Sequence, residues 1–262
     1  GALASVATAD ARALAVHGLH VLIADGSAGL TVVDVTDRTA PSVAATVDLN
    51  GPDPQPNDAR HLAMMPHYHN PPPSGPKTFD MYCYVADGAA GVRAVHVGNI
   101  SSPSLVATLP TTDANAVWAK SHYVAGSSTE ASIEKEFLFV ADGAGGLLTA
   151  DITLPFLPVV VSTRSTPAPL LDVFVANSFE PPLNRQLVYA AAGGAGLLIF
   201  DASSVASPWL ARAIPGTISG GLDLERIALD RLVDEDGVQI KDVSHEGART
   251  FNRAEIERIL GQ

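Results

Sequence analysis

Ala141-Asp142-Gly143-Ala144-Gly145-Gly146-Leu147 has three relatives along the chain. They are Ala24-Asp25-Gly26-Ser27-Ala28-Gly29-Leu30, Ala86-Asp87-Gly88-Ala89-Ala90-Gly91-Val92 and Ala191-Ala192-Gly193-Gly194-Ala195-Gly196-Leu197. Nine residues after each turn position stand Asp34, His96, Asp151 and Asp201, and seven further stand Pro41, Pro103, Pro158 and Pro208. Four unrelated segments would not share this register by chance. Successive turn positions lie 62, 55 and 50 residues apart, so length varies only outside the turn-to-proline half of each unit, as in a repeat with a fixed hairpin and variable loops.

Each unit reads as four short strands. In the first, residues 13–16 and 21–24 are apolar, residues 30–35 follow the Asp-Gly turn, and residues 43–47 follow the proline. β-branched and apolar residues separated by turn residues are the strand signature. The Asp-Gly segment joins strands two and three as a hairpin: Gly takes the positive φ, and Asp is expected to hydrogen-bond its own following backbone. Proline has no donor and belongs in the connection between strands three and four. Four antiparallel strands per unit, repeated, predict an all-β chain built as a β-propeller.

A fainter repeat opens each innermost strand: Asp10-Ala11-Arg12, Asp58-Ala59-Arg60, Asp113-Ala114-Asn115, Leu170-Leu171-Asp172 and Asp223-Leu224-Glu225. The repeats run near residues 10–49, 58–109, 113–164 and 170–214. A degenerate fifth spans 223–244, where Gly237-Val238-Gln239-Ile240-Lys241-Asp242-Val243-Ser244 matches Gly29-Leu30-Thr31-Val32-Val33-Asp34-Val35-Thr36. It lacks a fourth strand. Residues 3–8 resemble one without a unit in front, so pairing the two predicts five blades in a propeller over residues 1–248, closed without open sheet edges. Residues 249–262 turn to helical spacing through Phe251, Ile256, Ile259 and Leu260, with Asn252 and Glu255 as a capping pair, and predict a short C-terminal helix. The insertions 66–79, 126–136 and 178–186 read as exposed loops.

These motifs resemble the LVIVD-repeat family: a strand, an Ala-Asp-Gly turn with Gly-Leu after it, a Val-Val-Asp-Val-like strand and a proline turn. The likeness lies at residues 22–35, 84–97, 139–152 and 189–202, with departures at His96, at Ala192 and in the fifth unit. The resemblance implies a β-propeller, commonly in secreted or surface-attached proteins and often within longer chains. It implies no shared catalytic activity.

Of 262 residues, 47% are hydrophobic and 17% charged, with a formal net charge of −12. That supports a sizeable core and argues against gripping a phosphate backbone, so nucleic acid is not an expected partner. No apolar run approaches the roughly 18 residues of a membrane span. One cysteine, Cys83, excludes an intrachain disulfide and a cysteine-based zinc site. No nucleophile elbow or P-loop occurs, and the Gly-rich turns sit between strands rather than before helices.

Strand parity places Asp10, Arg12, Asp58, Arg60, Asp113, Asn115, Asp172, Asp223 and Glu225 around the mouth of the central channel. Such a ring can hold a small ligand, a cation or a partner's side chain. Equally, each Asp can cap a turn and each Arg pair with a neighbouring Asp. His67-Tyr68-His69 alternates as a strand would, with His61 and Cys83 as neighbours. Imidazoles so placed suit a transition metal, though a third ligand is not evident and no cofactor is called for. His96 reads as structural, and Asp25, Asp87 and Asp142 as turn residues, with no catalytic set. The function expected is therefore a non-catalytic extracellular or cell-surface scaffold binding a protein partner or a larger assembly, after removal of a leader. The alternatives are a hydrolase or lyase with its site at the channel mouth, or a propeller that binds a small ligand or metal, with His61, His67 and His69 as the metal candidates.

Overall fold

The computed structural model describes residues 4–51, 55–69, 78–124, 133–180, 183–214, 242–244 and 247–249. Four four-stranded antiparallel sheets follow one another. Blade 1 is β1 (Ala13–His17), β2 (His20–Ala24), β3 (Leu30–Asp34) and β4 (Ser42–Val47). Blade 2 is β5 (His61–His69), β6 (Thr78–Ala86), β7 (Val92–His96) and β8 (Ser104–Leu109). Blade 3 is β9 (Ala116–Val124), β10 (Ile133–Ala141), β11 (Leu147–Asp151) and β12 (Val159–Arg164). Blade 4 is β13 (Asp172–Glu180), β14 (Leu183–Ala191), β15 (Leu197–Asp201) and β16 (Trp209–Ile214). A hairpin of β17 (Asp242–Ser244) and β18 (Gly247–Arg249) adjoins β13.

Within every blade the strands pair in sequence order, and the first strands of successive blades are neighbours, β1 with β5, β5 with β9, β9 with β13. The two middle strands read as continuous apolar runs because adjacent blades cover both of their faces. Three of the buried clusters fill the spaces between blades. Leu22, Leu30, Val32 and Leu49 meet Val85 and Val95; Tyr84 and Val92 meet Leu138 and Val140; Phe137 and Phe139 meet Val188 and Phe200. The outermost strand carries a β-bulge at one equivalent place in all four blades, opposite Val32/Val33, Ala94/Val95, Thr149/Ala150 and Ile199/Phe200. A bulge bends and twists the strand that carries it, so the outer edge of each blade coils away from a flat sheet.

Three expectations are corrected. The insertions begin as strands, not loops: the first hairpins of blades 2, 3 and 4 extend to nine-residue strands, with ladder pairing out to His69↔Thr78, Val124↔Ile133 and Glu180↔Leu183. Continued cross-strand hydrogen bonding outweighs the loop-like composition there. The lead-in of blade 4 is shifted by one residue. Leu171 N–H bonds Ala191 O as Arg12 bonds Ala24, Arg60 bonds Ala86 and Asn115 bonds Ala141. Asp172 is therefore the equivalent of Ala13, His61 and Ala116, one step further along the innermost strand. Third, residues 4–8 form no strand, and residues 242–244 pair with 247–249. The expected C-terminal helix and most of the fifth unit lie outside the described residues. Among those described, no helix is long and apolar enough to cross a membrane.

Candidate functional site

The Asp-Gly turns lie against the residues that lead into the innermost strands, Gly26 bridging Ala59, Gly88 bridging Ala114 and Gly143 bridging Leu170. Gly26, Gly88, Gly143 and Gly193 all have φ between 48° and 55°, the left-handed region that glycine enters without steric cost. Inside each turn the backbone is already satisfied; in the first, Asp25 N–H bonds Gly29 O, Ala28 N–H bonds Asp25 O and Gly29 N–H bonds Gly26 O. The aspartate side chain is thus left for a distant partner, contrary to the expectation of a local bond. Asp25 accepts from the N–H groups of Asp10 (2.6 Å) and Ala9 (3.2 Å). Asp87 accepts from Asp58 N–H (2.6 Å), and Asp142 from Thr112 (2.8 Å) and Asp113 (2.7 Å). Each carboxylate thereby holds the lead-in of its own blade. Blade 4, with Ala192, has no such clamp.

Six of the predicted mouth residues come together as one ladder. Arg12 donates from Nε to Asp10 (2.8 Å) and from Nη1 to Asp58 (2.5 Å). Arg60 donates from Nε to Asp58 (2.8 Å) and from Nη1 to both Asp113 (2.8 Å) and Asn115 (2.6 Å). Asn115 Nδ2 then donates to Leu170 O at 2.8 Å, reaching blade 4. Each arginine fork joins its own blade's aspartate to the next blade's, the geometry for which a planar guanidinium is suited. The hydrogen bonds that Arg12 donates to Asp10 and Asp58 raise its pKa. Burial opposes ionisation of Asp58, but the bonds from Arg60 and Arg12 outweigh it and hold its carboxyl below the usual range. Asp223 and Glu225 lie outside the described residues.

His61 and Asp172 lie one step further in. His61 Nδ1 accepts from Val117 N–H at 3.4 Å, an innermost-strand donor. Burial pushes the His61 pKa down, with the nearby charge of Asp172 acting against it. Cys83 pairs across the ladder with Met64 rather than with His61. It is fully buried, which pushes its pKa up to about 12; a thiol so placed is inert.

His67 is buried between blades rather than in an exposed loop. Its Nε2 is 2.8 Å from Tyr84 Oη and its Nδ1 contacts the Glu136 carboxylate of blade 3. Tyr82 meets the His67 ring edge-on at 5.0 Å, and burial raises the Tyr84 pKa. Both nitrogens of His67 are occupied, so a metal would have to displace both contacts. Of His69 only the backbone, at the end of β5, is described. Among the described residues no three His, Cys, Asp or Glu side chains are grouped to hold a metal ion. The His96 ring lies 5.0 Å from that of Tyr82, tilted by 56°, and His96 faces Asp80 at 3.5 Å.

Two features went unread in the sequence. Arg93 is wholly buried, with Nε 3.2 Å from Asp87 and Nη1 2.8 Å from Thr108. Comparison with its equivalents Thr31, Leu148 and Leu198 marks it as the odd member. Burial drives the Asp87 pKa up despite the bonds from Asp58 and Arg93. The turn between β11 and β12 is the second: Leu154, Phe156 and Leu157 are 51%, 59% and 59% exposed, where the other blades carry Asp37, Thr39 and Ala40, then Asn99, Ser101 and Ser102, then Ser204, Ala206 and Ser207.

Repeated four-stranded blades, innermost strands side by side and lead-ins stapled from blade to blade define a repeat β-propeller. The LVIVD repeat family model matches residues 9–48, 80–111 and 125–168. The chain carries LVIVD repeats, and blade 4 extends the same topology beyond the matched residues. No curated protein matches the chain. Among solved structures it is similar to the computationally designed Ika8 protein, at 10% identity and a TM-score of 0.47, covering 80% of this chain and 51% of that one. It is also similar to the Bacteroides ovatus xyloglucan PUL GH43B, at 14% identity and a TM-score of 0.41, covering 81% of this chain and 42% of that one. The chain thus spans about half the length of the solved structures it matches.

Proposed function

We propose that this chain is a non-catalytic propeller scaffold, extracellular or at a cell surface, that binds a protein partner or joins a larger assembly. The observation that carries this reading is the arginine ladder. Arg12 and Arg60 each bridge two blades, so the charges at the mouth serve to fix blade against blade. A rigid ring with unlike loops and one apolar rim turn is suited to presenting surface to a partner. Native mass measurement and pull-down from the source's extracellular fraction test it: a stoichiometric complex supports the reading, and a lone chain under every condition counts against it.

The ring is completed, on this proposal, by a fifth unit from residues 215–249. Three observations support it. Blade 4 buries Tyr189, Leu197 and Ile199 in a cluster with no member from the other three blades, and β17 adjoins β13. On the far side of blade 1, Leu14 and Val16 are each 66% exposed, an apolar face of the kind a neighbouring blade covers elsewhere.

A second reading, a small ligand or cation at the mouth, draws on the surplus of carboxylates there. Asp10, Asp58, Asp113 and Asp172 outnumber Arg12 and Arg60 among the described residues. Titration calorimetry with cationic probes, repeated on Asp113→Ala, tests it: heat lost in the variant supports a site, and none in either protein removes it.

A further inference from the structure

The spaces between successive blades serve as controls for one another. On β9, Ala116 and Trp118 pack in the cluster between blades 3 and 4, while Val117 and Ala119 pack in the one between blades 2 and 3. Side chains alternate along a strand, and the β9–β10 ladder runs without a shift. Lys120 therefore enters the space between blades 3 and 4. From β14, Val188 and Ala190 face the same space, and Gln186 shares their parity. Cross-strand pairing makes Lys120 the counterpart of Met65, since Lys120 pairs with Phe137 as Met65 pairs with Tyr82. One backbone bond makes Gln186 the counterpart of Glu136 and Met81: Ala202 N–H to Gln186 O, Ile152 to Glu136 and Val97 to Met81. Between blades 1 and 2, Met81 packs on an apolar cluster. Between blades 2 and 3, the Glu136 carboxylate meets His67. Between blades 3 and 4, neither closure is made among the described residues. Gln186 is 4% exposed, and its amide oxygen and nitrogen both lack a hydrogen-bond partner. Lys120 is half-buried and has no ion pair among the described residues, whereas Arg12, Arg60, Arg93 and Lys135 each hold an aspartate. Burial alone lowers its pKa.

We propose that the space between blades 3 and 4 is a binding site for a small hydroxycarboxylate, seated between Lys120 and Gln186. A buried amide with neither bond made and a half-buried ammonium without a counter-charge are both costly, and they stand on facing walls of one space. The ammonium and the amide N–H groups need acceptors, which a carboxylate supplies. The amide oxygen needs a donor, which a hydroxyl on the adjoining carbon supplies. A buried water could meet the bonds of Gln186, but it would leave the charge of Lys120 unanswered. Trp118 and Phe137 line the blade 3 wall, so a compact, partly apolar skeleton with one carboxylate fits better than a polyanion. The partial exposure of Lys120 leaves the space open to solvent on its side. This site differs from the carboxylate-rich mouth in place and in sign, and it does not depend on the scaffold reading.

Titration calorimetry of the full chain with glycolate, with acetate and chloride as controls, tests it. The expected result is saturable binding of glycolate with a Kd of about 1 mM or tighter, about fivefold weaker binding of acetate, which lacks the hydroxyl, and no saturation by chloride. Lys120→Met and Gln186→Met install the Met65 and Met81 of blade 2. Each should weaken glycolate binding at least about tenfold with an unchanged circular dichroism spectrum. Gln186→Glu copies Glu136 and places the missing charge opposite Lys120, so it should abolish glycolate binding and raise the melting temperature. A wild-type chain that saturates with no probe up to about 10 mM overturns the proposal. So does glycolate binding that survives both methionine variants, or acetate binding as tight as glycolate, either of which would mark an adventitious ion only. A Gln186→Glu chain that melts lower than the wild type also overturns it, because Lys120 then does not reach the Gln186 position.

Discussion

Gly26 and Ala59 exchange two backbone hydrogen bonds, Gly26 N–H to Ala59 O at 3.1 Å and Ala59 N–H to Gly26 O at 3.0 Å, across the boundary between blades 1 and 2. The same bridge joins Gly88 to Ala114 and Gly143 to Leu170. The turn's aspartate holds its own blade's lead-in while its glycine holds the next. The loudest motif in the chain is thus a two-sided staple, and the amides of Ala59, Ala114 and Leu170 should resist hydrogen exchange although they lie outside the strands. Gly88→Ala should destabilise the protein by about 1–2 kcal/mol from its left-handed backbone alone. More is lost because the new Cβ would meet Asp58 Oδ2 at 2.7 Å. Chemical denaturation measures the cost, and a neutral substitution would refute the staple.

The Arg93–Asp87 pair is fully buried. Arg93→Leu should cost about 3–5 kcal/mol, since it strands a buried carboxylate. Adding Asp87→Ala reproduces the Ala192 and Leu198 of blade 4 and should recover part of that loss. A double variant less stable than the single one would show that the pair is not the source of the cost.

His61 has its pKa lowered from 6.5 by burial, with Asp172 opposing. The unfolded chain therefore takes up a proton that the folded chain resists, and stability falls as pH drops below about 6.5 toward the folded value. His61→Gln keeps an acceptor for Val117 N–H and should flatten the stability profile in that window. The lowered pKa values of Asp58 and Asp151 act separately: their contribution is present above 3.8 and lost below it. An unchanged slope near pH 6 in the variant would exclude His61 as its source.

Leu14 tests the fifth unit. If residues 215–249 close the ring against blade 1, Leu14→Glu places a carboxylate in an apolar interface and should cost about 2 kcal/mol or more. A surface Leu14 would tolerate the change within about 0.5 kcal/mol, and thermal melting distinguishes the two.

The blades were legible because the Asp-Gly and proline offsets are rigid, and strands two and three are buried on both faces. The mouth residues Asp10 to Asn115 were legible for the same reason, as positions fixed by the register. Blade 4 was misaligned by one residue because Leu170-Leu171-Asp172 lacks the leading aspartate, so only the Leu171–Ala191 hydrogen bond sets its frame. The hairpin extensions were hidden by loop-like residues, and the burial of His67 by its partner, since Glu136 lies 69 residues away in another blade. Pairing across blades leaves no local pattern to read.

The most direct test of the account is a double-mutant cycle between Arg60 and Asp113, 53 residues apart and in different blades, in protein free of any ligand. If the mouth charges hold the blades together, Arg60→Ala and Asp113→Ala should each lower stability and should couple by about 0.5–1 kcal/mol, the range of partly exposed ion pairs. Zero coupling, with both single variants as stable as the wild type, would contradict it and return the ring to the role of a binding site.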